Sequence, residues 1–318
     1  MPPPTLIRSR RLFGTGTLHQ RVQQAVTMLG HCGLCPRRCR VNRLINQTGF
    51  CATGRFARIA SYGPHFGEEQ PLVGRHGSGT IFIASCNLRC CFCQNYEISH
   101  TPNSYPEVDA AGLAAFMIDL QNQGCHNINL VTPSHVLPQI IEALPIALQE
   151  GLRVPLVYNC SGYESPEALA LLDGIVDIYL VDFKFWDAGR ATTYLNAPDY
   201  PEVARQALTI MHHQVGDLMI DNTGLAVSGL LVRHLLMPDS LEETAAIVKF
   251  IADRISPATY CTIMDQYRPC GQAASYPELR QPITAEQYQQ ALELAAAAGL
   301  SRIDRRDLGM LLRRLGII

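Results

Sequence analysis

No aspartate or glutamate precedes Glu68, while the same stretch carries ten arginines between Arg8 and Arg58. Lysine is nearly missing, with Lys184 and Lys249 the only two in the chain. No apolar run reaches the roughly 18–20 residues that a membrane-spanning helix needs, so an integral helical membrane protein is not expected. The opening MPPPTLIRSRRLFG has arginines but not the apolar centre of a secretory signal, which leaves the reducing cytoplasm as the expected location. Nor does a G-x-G-x-x-G follow the first strand-like segment, so a dinucleotide-binding sheet lacks its main signature.

Cysteine, by contrast, is plentiful. In a reducing compartment twelve cysteines do not imply a disulfide framework, least of all in a chain long enough to bury a core. Eight fall into two clusters, Cys32, Cys35, Cys39 and Cys51, then Cys86, Cys90, Cys91 and Cys93. The other four, Cys125, Cys160, Cys261 and Cys270, are expected to pack as small apolar residues. Charge divides along the chain as well. After residue 67, 16 of the 26 basic residues face all 28 acidic ones, a formal balance of −12. An arginine-only segment can bind nucleic acid or an acidic partner, or it can offset a thiolate-ligated metal centre of its own. The second reading is favoured, because aromatic residues for base stacking are sparse there.

Hydropathy patterning predicts a loose start, a short helix near Gln20–Leu29, and a loop-rich cysteine segment over 32–51. SYGPHFGEEQPLVGRHGSG (61–79) reads as turns with strands at most short. From TIFIASC onward strands and helices alternate. Strands are predicted in NINLVTP, VPLVYNCSG, GIVDIYLVDFKFW, SGLLVRHLLMP and ATYCTIMDQY, each followed by a helical segment. Ser165 with Pro166, and Ser240 with Glu243, read as helix N-caps. Leu308, Leu311, Leu312 and Leu315 form a helical stripe, read as a packing face. Strands apolar on both faces alternating with helices indicate α/β architecture with a parallel sheet. About six units fit a partial (β/α)6 TIM-type barrel (71–318) carrying an N-terminal Cys/Arg-rich extension (1–70). In such folds chemistry sits at the C-terminal strand ends.

Within SCNLRCCFCQN, Cys86, Cys90 and Cys93 spell C-x-x-x-C-x-x-C. Thiolates are soft ligands that select zinc or iron–sulfur clusters. Three of them leave one metal position open to an exogenous ligand, whereas a structural site uses four. Cys91 is the alternative fourth ligand, although it directly follows Cys90 and would have to fold back sharply. Cys32-x2-Cys35-x3-Cys39-x11-Cys51 supplies four thiolates, enough to close a shell of zinc or of a second [4Fe–4S] cluster.

C-x-x-x-C-x-aromatic-C, with Phe92 as the aromatic, on the loop after the first strand of a partial barrel, resembles the radical S-adenosylmethionine (SAM) superfamily. The continuation QNYEIS and the stretch HFGEEQPLVGRHGSGTIF are similar to the subgroup related to pyruvate formate-lyase activating enzymes. So are HCGLCPRRCRVNR, NLVTPSH, PLVYNCSGYE, DIYLVDFKF, RHLLMP and MDQYRPCG, so the likeness spans nearly the whole chain.

The resemblance implies that Cys86, Cys90 and Cys93 ligate a [4Fe–4S] cluster and that SAM occupies its open iron. One-electron reduction then yields methionine and a 5′-deoxyadenosyl radical, which abstracts hydrogen from substrate. Phe92 is expected against the adenine and Cys91 is a passenger. Asp182 and Lys184, two apart on one strand, share a side. They can neutralise each other, and the resemblance places them near SAM and a monovalent cation. Arg233 matches an arginine that contacts SAM, or else it pairs with a core carboxylate. His234, on the opposite face, is expected to be packed.

Two departures stand out. Where the superfamily has a Gly-Gly-Glu-Pro-like turn, this chain has LVTPSH, leaving Thr132, Ser134 and backbone carbonyls to serve. Asn159-Cys160 replaces an Asp-Thr, and an amide weakens a cation site there. The resemblance further implies a reductant such as flavodoxin or ferredoxin and a glycyl-radical protein as substrate. Modification of another protein or of a small molecule is the runner-up. A non-enzymatic metal- or RNA-binding protein is the contrasting class.

Overall fold

The computed structural model describes residues 7–101 and 104–304. The leucine stripe expected at Leu308, Leu311, Leu312 and Leu315 lies outside the described residues. The fold is α/β, with a central sheet of β1 Ala57–His65, β2 Ser78–Ile83, β3 Glu107–Val108, β4 Ile128–Val131, β5 Leu156–Cys160, β6 Ile178–Asp182, β7 Met219–Ile220, β8 Ala226–Leu235, β9 Tyr260–Met264 and β10 Arg302–Ile303. Their order is β10-β9-β8-β6-β5-β4-β2-β1-β3, with β7 alongside β8. From β2 through β4, β5, β6, β8 and β9 to β10 every pairing is parallel, whereas β1 is antiparallel to β2 and β3. The parallel strands follow one another without a reversal of order. That winding differs from a doubly wound sheet with its switch point and is compatible with a TIM-like fold.

Period-two alternation sorts the strand residues between two apolar layers. Tyr158, Tyr179, Val181, Leu230 and Val232 join the large core with helix residues such as Leu113, Ile140, Leu169 and Leu208. Val157, Ile178, Leu180 and Leu231 point the other way and meet Leu72, Leu218 and Ala226. Each fully buried Leu or Ile is worth roughly 1.5–3 kcal/mol of transfer free energy. Both layers therefore hold the strands in register.

The amino-terminal part is more ordered than its sequence suggests. Helices Arg8–Gly14 and Thr17–Thr27 precede the cysteines, and Ile7, Leu18 and Ala25 belong to the same large core. Within the stretch read as turns lies most of β1, a nine-residue strand. Pro64 is tolerated because β3 pairs only with Ala57 and Arg58, leaving that end of β1 unpaired on its outer edge. The expected strand over 174–186 is cut to Ile178–Asp182, since the Lys184 N–H goes to the Tyr200 hydroxyl (2.8 Å) instead of a neighbouring strand. Ser165 caps its helix as expected, accepting from the Ala168 N–H at 3.2 Å. Ser240 does not, because its hydroxyl turns back to Met237, while Glu243 takes the N–H groups of Trp186 and Asp187.

Eight of the ten early arginines are spent within the chain. Arg8 pairs with Asp173, Arg38 with Glu167, Arg58 with Glu107, and Arg55 grips Glu142 with two bonds of 2.6 and 2.8 Å. Arg10, Arg21, Arg37 and Arg43 donate to backbone carbonyls. Among the described residues no helix is long and apolar enough to cross a membrane.

Candidate functional site

The inward faces of the parallel strands change character toward their C-terminal ends. One inward step beyond Val157, Leu180 and Leu231 come Asn159, Asp182 and Arg233. Asp182 lies opposite Arg233 across the β6–β8 ladder, and Arg233 opposite Thr262 across β8–β9. Asn159, Asp182 and Arg233 floor a cleft of about 370 Å³, within the usual size of a small-molecule site. Its walls include Cys86, Cys90, Phe92, Cys93, Thr132, Asn159, Asp182, Lys184 and Arg233. The structure thus gathers the three motif cysteines, the aromatic and all five strand-end candidates in one space.

The loop after β2 carries the thiols. Ser85 and Arg89 in it have positive φ of 79° and 54°, and across the cleft the β-branched Thr132 is held at φ 62°. Such conformations cost energy and persist where the surroundings enforce them. Here the Thr132 N–H is tied to the Asn159 carbonyl at 2.9 Å. The Leu88 N–H donates to the Cys86 sulfur and the Ser99 hydroxyl to the Cys93 sulfur, both at 3.3 Å. Burial pushes the Cys86 and Cys90 thiols up, opposed at both by the Lys184 charge. Cys91 is not on the cleft wall. Its N–H meets the Tyr194 carbonyl and its carbonyl the Gln272 N–H, and burial raises its thiol to about 11. Phe92 lies edge-to-face against Phe185 at 5.7 Å.

Lys184 and Asp182 form an ion pair of 2.7 Å. Burial works against the lysine charge, yet Asp182 and the nearby Cys90 hold its pKa above the ordinary value. Arg233 is already occupied. It grips Glu69 with bonds of 2.7 and 2.5 Å and also bonds Glu68, while Glu69 takes the Thr262 hydroxyl at 2.9 Å. Burial drives the Glu69 carboxyl upward, but Arg233 outweighs it and the net shift is down. Neither glutamate was singled out in the sequence, where the signals were a Glu-Glu pair opening the acidic part of the chain and its place in HFGEEQPLVGRHGSGTIF. Of the two, Glu68 also lines the cleft.

Ser134 does not reach the cleft, because its hydroxyl donates to the buried Glu164, whose pKa burial raises to about 7. His234 is packed as expected. Its Nδ1 donates to the Phe183 carbonyl, its Nε2 lies 2.9 Å from the Thr244 hydroxyl, and burial lowers it to about 4.

Cys32, Cys35, Cys39 and Cys51 also come together, around a separate cavity of about 10 Å³. Gly49 is required there, since a Cβ on it would stand 2.5 Å from Cys39 Cβ. Arg37 spans from this module to the cleft loop, donating to the carbonyls of Asn87 (3.0 Å), Leu88 (3.4 Å), Leu195 (3.1 Å) and Asn196 (2.5 Å). Among the described residues, no three His, Cys, Asp or Glu side chains already stand as a ligand set for a metal ion. The donors nonetheless fit. Soft thiols share each space, and N–H, O–H and ammonium groups face the sulfurs of the larger one.

No family model matches the chain. It is 31% identical over 294 residues to the uncharacterized protein MJ0674 of Methanocaldococcus jannaschii, covering 90% of this chain and 80% of that protein. The uncharacterized protein MJ0808 of the same organism is 23% identical over 247 residues, covering 72% and 68%.

Proposed function

We propose that this chain, which belongs to the same family as the uncharacterized protein MJ0674 of Methanocaldococcus jannaschii, is a radical SAM enzyme on a partial (β/α)6 barrel. The observation that carries the reading is the meeting of three motif thiols with polar strand ends in one 370 Å³ cleft. Cys86, Cys90 and Cys93 would hold a [4Fe–4S] cluster. When bound, that cluster supplies the electron that cleaves SAM to methionine and a 5′-deoxyadenosyl radical for hydrogen abstraction.

The chain's own residues bind and orient. The Leu88 N–H and the Ser99 hydroxyl stabilise sulfur charge on two sides. Lys184 brings a cation to Cys90 while Asp182 keeps that cation in place. Thr132 and Asn159 offer a hydroxyl and an amide on the opposite wall. For Arg233 to receive a ligand carboxylate it must release Glu68, the partner open to the cleft, while Glu69 stays beneath and holds the guanidinium in line. Phe92 closes the loop with apolar surface.

Within the class, we propose activation of a glycyl-radical protein in a reducing cytoplasm, with flavodoxin or ferredoxin as electron source. Modification of another protein or small molecule ranks second. Oxygen-free, reconstituted protein reduced with dithionite and given SAM is expected to release 5′-deoxyadenosine. A cluster-loaded sample that releases none would overturn the reading.

A further inference from the structure

We propose that Cys32, Cys35, Cys39 and Cys51 form a closed four-thiolate site for a single divalent metal ion of the zinc class. Size is the first ground. With the surrounding backbone where it stands, the space the four residues line is about 10 Å³, room for one atom-sized guest, whereas a cubane's eight atoms would need the module to open. The cleft that holds the other three thiols is larger by more than an order of magnitude.

Charge is the second and independent ground. Arg43 lines the same cavity and is 1% exposed. Its Nε donates to the Gly54 carbonyl at 3.0 Å and its Nη1 to the His135 carbonyl at 2.7 Å, with the Cys32 sulfur 4.0 Å from Nη1. Its Nη2 has no hydrogen-bond partner, and no Asp or Glu lines the cavity. A buried guanidinium without a counter-charge is costly. Four neutral thiols offer none. Four thiolates around a divalent ion carry two net negative charges, which Arg43 and the neighbouring Arg37 match. The Phe50 N–H already donates to the Cys39 sulfur at 3.3 Å, a bond that stabilises the charge of a ligating thiolate.

Loading the ion requires the four thiols to turn inward and lose their protons. With four protein ligands the shell has no open position, so the ion binds no substrate. Its effect is mechanical, because Arg37, two residues after Cys35, would hold the Asn87 and Leu88 carbonyls of the cleft loop at a fixed distance. None of this rests on the chemistry proposed for the cleft.

Full-length protein purified without chelators tests it by zinc and iron content. Zinc is expected at one equivalent per chain, unchanged when Cys86, Cys90 and Cys93 are all replaced by Ala. It is lost in Cys39→Ala and kept in Cys39→His, which leaves a Cys3His set. Arg43→Met retains the ligands but weakens metal affinity roughly 10- to 100-fold in a chelator competition. If Cys39→Ala does not fold, cobalt substitution of the variant lacking Cys86, Cys90 and Cys93 decides, with a tetrahedral cobalt–thiolate spectrum expected. Iron that survives loss of the cleft cysteines, or wild-type protein that binds neither zinc nor cobalt, would overturn the inference. Failure of the cleft reading registers elsewhere, as cleft iron without 5′-deoxyadenosine.

Discussion

Arg233 shows both the reach and the limit of a single residue read in sequence. A cation inside LLVRHLL had to be neutralised, and that much was legible. Its partners lie 164 and 165 positions upstream, in a Gly- and Pro-punctuated stretch whose path no local pattern reveals. Arg233→Met leaves Glu69 buried and unpaired, so it is expected to cost roughly 3–5 kcal/mol in urea unfolding. Replacing Glu68, the cleft-facing partner, is expected to cost far less. The neighbouring His234 sets an acid limit. In the unfolded chain it takes up a proton near its ordinary 6.5, but in the fold only near 4. Between those values the unfolded state binds more protons. The His234 contribution should be full above about pH 6.5 and be lost as pH drops toward 4, by on the order of 3 kcal/mol. His234→Gln should flatten that part of a stability–pH profile measured in urea, and an unchanged slope would refute the assignment.

Elements were legible where one periodicity governs them and illegible where tertiary partners do. The apolar runs of β4, β5, β6, β8 and β9 announce strands buried on both sides, and their order of pairing follows the chain. The strand β1 was missed because Gly63 and Pro64 disguise it, and only its partner β2 makes it a strand. The Ser240–Glu243 signature failed because Glu243 found better donors in Trp186 and Asp187. Within β8, Gly229 sits at φ 117°, and a Cβ there would lie 2.4 Å from the Asp217 carbonyl oxygen. Both the left-handed backbone and the clash oppose a side chain. Gly229→Ala is therefore expected to lose on the order of 1–3 kcal/mol, read as a lowered thermal midpoint.

For the whole molecule, the division of charge along the chain turns out to be an attachment of its beginning to the rest. The arginines could be counted in the sequence, but not their destinations, since Asp173, Glu167, Glu142 and Glu107 lie from 49 to 165 positions away. Burial goes with the charge, as Ile7, Leu18 and Ala25 are almost wholly covered. Removing residues 1–27 should expose the helix Leu137–Gln149 and abolish a sharp thermal transition, whereas high salt alone should leave it nearly intact. The two-residue rhythm of the inward strand faces has a last consequence. A slide of β5, β6 and β8 by a single position would turn Asn159, Asp182 and Arg233 into the oil beneath the helices and offer Tyr158, Val181 and Val232 in their stead. A misaligned folding attempt therefore cannot yield a sound but inactive molecule, because whatever spoils the chemistry also strands two charges in apolar packing.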